Sequence, residues 1–450
     1  MNKQNKNEKN DLMDKIVSLA KRRGFIFPGS EIYGGLANSY DYGPLGAELF
    51  RNIANFWWKK IVQQRPDVVG IRGPIIMNPK VWEASGHIKN FTDPLVECKI
   101  CHLRMRADKP KDIAEHEKTH SGKKVEWTEP KNFNLLFKTF IGTTEDSKSA
   151  VYLRGETAQT MFTDFKLVQE TMRRKLPFGI AQIGRSFRNE ITTGNSIFRT
   201  KEFTIAELEY FVKPGEDDAA FDDWLSYQQE FFKELGLKEE NFKTVELPKD
   251  ELAHYSKRTV DTYYKFPFGW DEIAGIANRT DYDLKNHIEL SGANLKYKDE
   301  KGEEFIPYVV EPTFGMDRIM LAVLMDAYSE SEARSGKEDA VHETEVTLRL
   351  PKWLAPVKVA VLPLSKKENL SSKAKEVYRD LVKDFVCEYD ETQSIGKRYR
   401  RQDEVGTPYC VTVDFDTLED DAVTVRDRDT MKQERIKISE LKNWLVSKLQ

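Results

Sequence analysis

Two neighbouring runs hold residue types that could grip a nucleotide. RSFRNE ends one β-rich stretch with Arg188 and Glu190, and FRTKEFTIAELEYFV opens the next with Phe198, Phe203, Ile205 and Glu207. Strand alternation puts Arg188 and Glu190 on one face, and Phe203, Ile205 and Glu207 on one face of the second strand. A ring could stack on a base, an arginine could meet a phosphate, and Glu190 could accept from an exocyclic amine. The alternative is a solvated polar face on a half-exposed sheet. A third run, EPTFGMDR, is extended up to Gly315 and sets Arg318 at the start of the apolar helix IMLAVLM. A cation at the positive end of a helix dipole is unfavourable unless an anion binds there, so Arg318 suits a phosphate. Elsewhere, Cys98-x2-Cys101 and His116-x3-His120 have the spacing of a tetrahedral zinc site, with two reduced thiols and two solvated histidines as the alternative. A basic run, Lys397, Arg398, Arg400 and Arg401 around Tyr399, could meet RNA phosphates while the ring stacks on a base, or be a solvated helix face.

These groups need a scaffold. Residues 43–79 read as a helix with Leu45, Leu49, Ile53, Trp57 and Ile61 every four residues, followed by an extended run. Residues 96–130 are rich in Lys, Glu and His and read as an insertion. Met161, Phe165, Val168, Met172 and Leu176 predict a helix over 156–176. The β-rich runs 179–190 and 198–212, joined by ITTGNS, predict an antiparallel hairpin. After RLPKWLAP, a strand VKVAVLPL, a helix over 372–385 and further strands and helices alternate for about a hundred residues, which suits a separate α/β domain. The expected fold is therefore α+β with an antiparallel sheet, followed by an α/β domain over 355–450. Residues 1–10, MNKQNKNEKN, read as a disordered tail.

Composition narrows the class. Hydrophobic residues are 39% and aromatics 11%, enough for a core and too much aromatic content for a disordered chain. The strongly apolar run 319–325 is far below the roughly 20 residues that span a bilayer. Four cysteines and a polar start without an apolar segment lead to the expectation of a reduced, cytoplasmic protein with no membrane association. Seventy basic and seventy-four acidic residues give a net charge of −4, so any nucleic acid must be met through local patches. DNA is not expected, because a lone finger-like insertion has little affinity for it.

The motifs together resemble the class II aminoacyl-tRNA synthetases. RSFRNE with FRTKEF is similar to their motif 2, GMDR before an apolar helix to motif 3, and the helix and run ending at Pro79 to motif 1. GFIFPGSEIYGG, YDYGPLG, WEASGH, RGETAQ, KLPFGIAQIGRSFRNEI and GKRYRRQDEVGTPYC, in that order, resemble the dimeric glycyl-tRNA synthetases in particular, and Glu272 in WDEIAGIANRTDYDL matches their acidic position near Mg²⁺ and the ATP phosphates. The resemblance implies a class II catalytic domain over 11–350, an anticodon-binding domain over 355–450, a homodimer, and glycine, ATP, Mg²⁺ and tRNA(Gly) as ligands. It implies ATP binding by Arg188, Asn189, Glu190, Phe198, Arg199, Thr200, Lys201, Glu202, Phe203, Glu272, Ile273, Gly315, Met316, Asp317 and Arg318. Arg188, Arg318 and Glu272 would act in catalysis. Glycine would meet Arg106, Glu156, Phe203, Thr204, Ile205, Ala206, Glu207, Glu311, Pro312, Thr313, Phe314 and Gly315, with the three glutamates cupping its ammonium. Non-catalytic relatives of the same fold would be expected to lose the paired arginines. Prolyl, threonyl and seryl specificities are disfavoured by the three glutamates.

Overall fold

The computed structural model describes residues 3–146, 148–191, 194–332 and 344–449. Thr192 and Thr193, in the expected hairpin turn, lie outside them. One sheet of seven strands carries most of the chemistry-bearing residues. Its strands are β1 (Val68–Gly70), β2 (Phe178–Phe187), β3 (Glu202–Val212), β4 (Phe242–Glu246), β5 (Arg258–Phe266), β6 (Gly269–Thr280) and β7 (Tyr308–Gly315). Their order is β4-β5-β6-β7-β3-β2-β1, antiparallel throughout except that edge strand β1 runs parallel to β2. The expected hairpin is present, with Phe187 opposite Glu202 and Phe178 opposite Phe211. Its strands are shorter than the sequence suggests. Residues 188–190 leave the ladder, and Phe198 sits in a single 3₁₀ turn, Ser196–Phe198.

Helices α1 (Lys3–Arg23), α2 (Pro44–Trp58), α3 (Asp217–Leu235) and α4 (Met316–Ala327) belong to this domain. The four-residue stripe of α2 is real: Leu49, Ile53, Trp57 and Ile61 are fully buried, Ile61 within a final π-helical turn, Lys59–Gln63. Trp57 meets Phe314 of β7 edge-on at 5.8 Å, and Phe231 of α3 meets the same ring at 5.2 Å. Gly46 lets α2 approach closely, since a Cβ there would lie 1.9 Å from the Phe25 carbonyl oxygen. Between its polar ends α4 is buried on nearly every side, as its apolar run Ile319–Met325 requires. Alternation then sorts the central strands. Ala206, Leu208, Val310 and Phe314 pack with these helices in the main core, while Phe211 and Val309 join a second core on the opposite face.

Three expectations change. A helix beginning at Lys3 stands where residues 1–10 were expected to be disordered. The helix runs on into turns whose Ile16, Leu19 and Ala20 are buried, and that packing outweighs the poor helix propensity of Asn5, Asn7 and Asn10. The single helix expected over 156–176 is two short ones, Ala158–Thr163 and Phe165–Thr171, divided at Asp164. The helix expected from Ser372 is α5 (Glu368–Leu381).

The insertion forms its own three-stranded sheet, with Thr92–Glu97 between Arg104–Arg106 and Lys131–Asn134, and a helix, Pro110–Thr119. The last domain contains β8 (Val359–Pro363), α5, β9 (Cys387–Tyr389), α6 (Ile395–Val405), β10 (Tyr409–Val413), β11 (Ala422–Asp427), β12 (Gln433–Lys437) and α7 (Ile438–Lys448). Its mixed sheet runs β9-β8-β10-β11-β12, with β8 parallel to both neighbours. Among the described residues no helix is long and apolar enough to cross a membrane.

Candidate active site

The face of the sheet turned away from α2 and α3 holds a cavity of about 240 Å³. Arg188, Glu190, Phe198, Arg199, Thr200, Phe203, Thr204, Ile205, Glu207, Glu272, Ile273, Thr313, Gly315, Asp317 and Arg318 line it, as do Glu156 and Glu311. Two arginines 130 positions apart in the chain thus share one hollow. The Arg188 Nε donates to the Gly155 carbonyl at 3.0 Å, and its guanidinium lies between the rings of Phe91 (5.2 Å) and Phe203 (5.3 Å). Arg318 donates from Nη1 to the Glu272 carbonyl at 2.8 Å and stands 4.6 Å from the centre of the Phe198 ring. Carbonyls and rings fix the direction of both cations, and Arg318 is in addition partly answered by the Glu272 carboxylate at 3.2 Å.

Beside them lies an acidic end. Glu156, Glu207 and Glu311 are each nearly inaccessible to solvent. Glu207 accepts from the Thr157 amide at 2.6 Å and from the Thr157 hydroxyl. Glu311 receives Arg279 Nη1 on both oxygens at 2.9 Å, and Arg279 also grips Asp283 through Nε at 2.7 Å and Nη2 at 2.9 Å. Glu156 is 3.2 Å from His87 Nε2 and accepts from Gln159 at 2.9 Å. Burial alone would raise the Glu156 pKa, but His87 and Arg279 outweigh it and hold the carboxyl low. Burial and the charge of Glu156 push Glu207 up. Burial also raises Glu311, reinforced by Glu207 and Glu156 and opposed by Arg279. Crowded carboxylates in a dry cup are relieved by an incoming cation, which is what an ammonium supplies.

A β-bulge shapes the phosphate end. Thr262 of β5 pairs with Ala274, whereas Tyr263 pairs with Glu272, so Ile273 is an extra residue and Glu272 is re-aimed toward Arg318. Asp261, on the neighbouring strand, lines the same cavity, and burial and the Glu272 charge push its carboxyl up to about 7, against Arg318.

Eight of the expected ligands lie off the cavity wall. Ala206, Pro312 and Phe314 alternate with wall residues and face the other side of the sheet, and Met316 is buried in the core. The backbone N–H of Asn189 donates to the Leu135 carbonyl at 2.8 Å, and Lys201 and Glu202 are exposed. Arg106 is held by Asp93 at 2.9 Å and Asp108 at 2.7 Å rather than reaching the glutamates. Asp317 does line the cavity but is committed to structure, accepting from the Tyr42 hydroxyl and the Thr204 amide. Sequence reasoning missed four site residues: Tyr255 and Asp261, which carry no local signal, and His87 and Arg279, which lie inside WEASGH and WDEIAGIANRTDYDL but were not singled out there.

Glu209 lies below the cup on β3. It is fully buried, and among the described residues neither carboxylate oxygen has a hydrogen-bond partner. Burial and the charge of Glu311 push its pKa well above the ordinary range. A carboxyl raised in this way keeps its proton in the fold where the unfolded chain, with a pKa of about 4.3, has released it. Its contribution to stability is therefore complete below that value and falls as pH rises toward the folded pKa. Glu209→Gln removes this dependence. The melting temperature of the variant relative to wild type is expected to rise by a few degrees between about pH 5 and about pH 8. A constant difference across that range would show Glu209 to be ionised in the fold.

The basic run of the last domain is largely internal. Arg398 is 1% exposed and donates to the carbonyls of Pro363, Glu391, Thr392 and Gln393. Arg401 pairs with Asp390, Arg400 with Glu345 at 2.9 Å, and Tyr399 bonds Thr412 and lies against Arg426. Lys397 alone of the five is exposed. Arg398 is thus taken up by the fold, while Lys397 is open and Arg400 and Arg401 are partly exposed.

Residues 140–327 match the class II tRNA synthetase core domain model (G, H, P, S and T), and residues 358–448 match the anticodon binding domain model. Proteins named glycine–tRNA ligase are similar over nearly the whole chain. The one from Caldanaerobacter subterraneus subsp. tengcongensis is 54% identical over 465 residues, covering 97% of this chain and 98% of that protein. The one from Streptomyces coelicolor is 52% identical, covering 98% and 99%. The chain belongs to the glycine–tRNA ligase family. A solved prolyl-tRNA synthetase from Cryptosporidium parvum, in complex with halofuginone and AMPPNP, shares the fold, with a TM-score of 0.65 at 17% identity over 96% of this chain and 76% of that one. As a glycine–tRNA ligase family member, the chain is a class II synthetase with the α+β core and appended α/β domain that its sequence suggests.

Proposed function

We propose that the cavity joins glycine to ATP and then passes the glycyl group to tRNA(Gly). The observation that carries this reading is the convergence of Arg188, Arg318 and three buried glutamates on one hollow. Phe203 stacks on adenine, Glu190 accepts from its amine, and Arg188 and Arg318 neutralise phosphate charge from two sides. The glycine ammonium sits among Glu156, Glu207 and Glu311, with the Thr313 hydroxyl nearby. Its carboxylate is already ionised at neutral pH, so no general base is required. One carboxylate oxygen attacks the α-phosphorus in line, the bond to the β-phosphate oxygen breaks, and pyrophosphate leaves. The catalytic task of the protein is positioning and charge neutralisation. The terminal adenosine hydroxyl of the tRNA then attacks the mixed anhydride and releases AMP.

Asp261 and Glu272 fit Mg²⁺, being two hard oxygen donors facing the phosphate end, and the ion would neutralise charge on the triphosphate. Cys98, Cys101, His116 and His120 fit a structural Zn²⁺ in the insertion. The C-terminal domain would carry the anticodon contacts. A homodimer is supported by apolar side chains left at the surface beside the α2 entry, with Ile32 88%, Tyr33 86% and Leu36 70% exposed. Action in the cytoplasm accords with four unpaired cysteines.

Exchange of labelled pyrophosphate into ATP tests the reading. It should depend on glycine and fall at least about 100-fold with alanine, because an added methyl must displace packed walls. Equal activity with alanine would reject the cup as a glycine site.

A further inference from the structure

The insertion has a cluster whose geometry suits one ion and a sheet that reaches the nucleotide cavity. The ligand atoms of Cys98, Cys101, His116 and His120 all lie within 4.8 Å of one another. Cys98 Sγ is 3.6 Å from His120 Nε2, Cys101 Sγ is 3.4 Å from His116 Nε2, and the two Nε2 atoms are 3.1 Å apart. A tetrahedron with Zn–S of about 2.3 Å and Zn–N of about 2.0 Å has S···N edges of about 3.5 Å and an N···N edge of about 3.3 Å. Four soft or borderline donors at these separations select zinc over Mg²⁺ or Ca²⁺. Apolar packing does not account for the convergence. The helix Pro110–Thr119 buries no residue, and the nearest ring, Trp127, lies 5.5 Å from His116 with its Nε1 donating to Glu117. An insertion with so little core gains its cohesion from the metal.

Cys98 directly follows the strand Thr92–Glu97, the centre of the insertion sheet. At the other end of that strand, Phe91 supports the active site in two directions. Its ring faces the Arg188 guanidinium at 5.2 Å and lies 5.1 Å from His87, the partner of Glu156. Within the strand, Asp93 holds Arg106 of the neighbouring strand at 2.9 Å. A single six-residue strand therefore links the metal cluster to the residue that backs Arg188.

We infer that the Cys98–Cys101–His116–His120 cluster is a zinc site that positions Arg188, by fixing the strand that begins directly after Phe91 and so holding that ring against the guanidinium. The inference rests on the proposed zinc and on the reading of the cavity as an ATP site. Phe91 and the four ligands are positioning residues and touch no substrate. Losing the metal should loosen the arginine that meets phosphate, while Glu207 and Glu311 stay fixed by Thr157 and Arg279, and Glu156 by Gln159 at 2.9 Å and by His87, whose Nδ1 Ser85 holds at 2.8 Å independently of Phe91.

The purified full-length protein is expected to contain about one zinc per chain. Its Co²⁺-exchanged form should show the visible bands of a tetrahedral thiolate site. Removing zinc with a chelator that spares Mg²⁺ should raise the KM for ATP about tenfold, leave the KM for glycine within about twofold, and expose residues 98–120 to protease. Zn²⁺ should reverse both the rise in KM for ATP and the protease sensitivity. Phe91→Ala, with its zinc retained, should reproduce the rise in KM for ATP without the protease sensitivity, which keeps the test sound if metal-free protein unfolds. Absence of zinc, with no Co²⁺ spectrum, would overturn the site. A full zinc complement with an unchanged KM for ATP in both the stripped protein and Phe91→Ala would overturn the positioning role alone. Failure of the parent reading is distinguishable, because the wild-type protein would then show no glycine-dependent exchange at any zinc content.

Discussion

Arg318→Ala is expected to lower glycine-dependent pyrophosphate exchange by about 10³-fold, equivalent to about 4 kcal/mol of transition-state stabilisation. The size of the effect follows from where the guanidinium is held. Its Nη1 is occupied by the Glu272 carbonyl and its Nε by the Phe198 carbonyl at 3.2 Å, while its charge is only partly answered by the Glu272 carboxylate at 3.2 Å. That carboxylate is 42% exposed, so water screens the pair and the arginine retains charge for a phosphate. Alanine removes a fixed positive charge from the place where negative charge gathers as pyrophosphate departs. Arg318→Lys should recover only part of the loss, since an ammonium cannot hold two carbonyls and a phosphate in one plane. The fold should survive, because Arg318 lies on the cavity side of α4 and the buried core of that helix is untouched. Exchange within about threefold of wild type in a folded Arg318→Ala protein would remove this residue from the phosphate site.

Much of the site was legible because strands have a period of two. Phe203, Ile205 and Glu207, then Glu311, Thr313 and Gly315, fall on the cavity wall as alternation requires. The same rule separates Ala206, Pro312 and Phe314 from them, although a resemblance read as unbroken runs includes all three. Asp261 was not legible for a different reason. Its place opposite Gly275 depends on a pairing between β5 and β6 and on a bulge that neither strand announces. Arg279 and Asp283 did leave a trace, an i,i+4 charge pair inside a recognised motif, yet nothing local says that such a pair is buried rather than solvated. The run Lys397 to Arg401 shows the converse. Its charges suggest an RNA surface, but a cluster of main-chain carbonyls between residues 363 and 393 draws Arg398 inside. The polar start of the chain lacks the apolar content that usually signals order, and the helix there extends from buried turns further along.

Arg279→Met should have the largest effect on stability of any single change at the site. Arg279 is 1% exposed and is the guanidinium shared by Glu311 and Asp283, with Glu156 a further 3.9 Å away and the Tyr255 ring covering it at 3.8 Å. Methionine fills much of the volume but leaves carboxylates buried without their cation. Removing one partner of such a network costs about 3–5 kcal/mol, far more than the net value of the pair, because the remaining charges cannot be resolvated. A fall in melting temperature of about 10 °C is expected, with loss of glycine-dependent exchange. Adding Asp283→Asn should return part of the stability by removing one stranded charge, without restoring exchange, since Glu311 would still lack its bidentate partner. That non-additivity separates a charge network from simple packing. If Arg279→Met melts within about 2 °C of wild type, or if the second change adds further destabilisation, the cup does not depend on this cation.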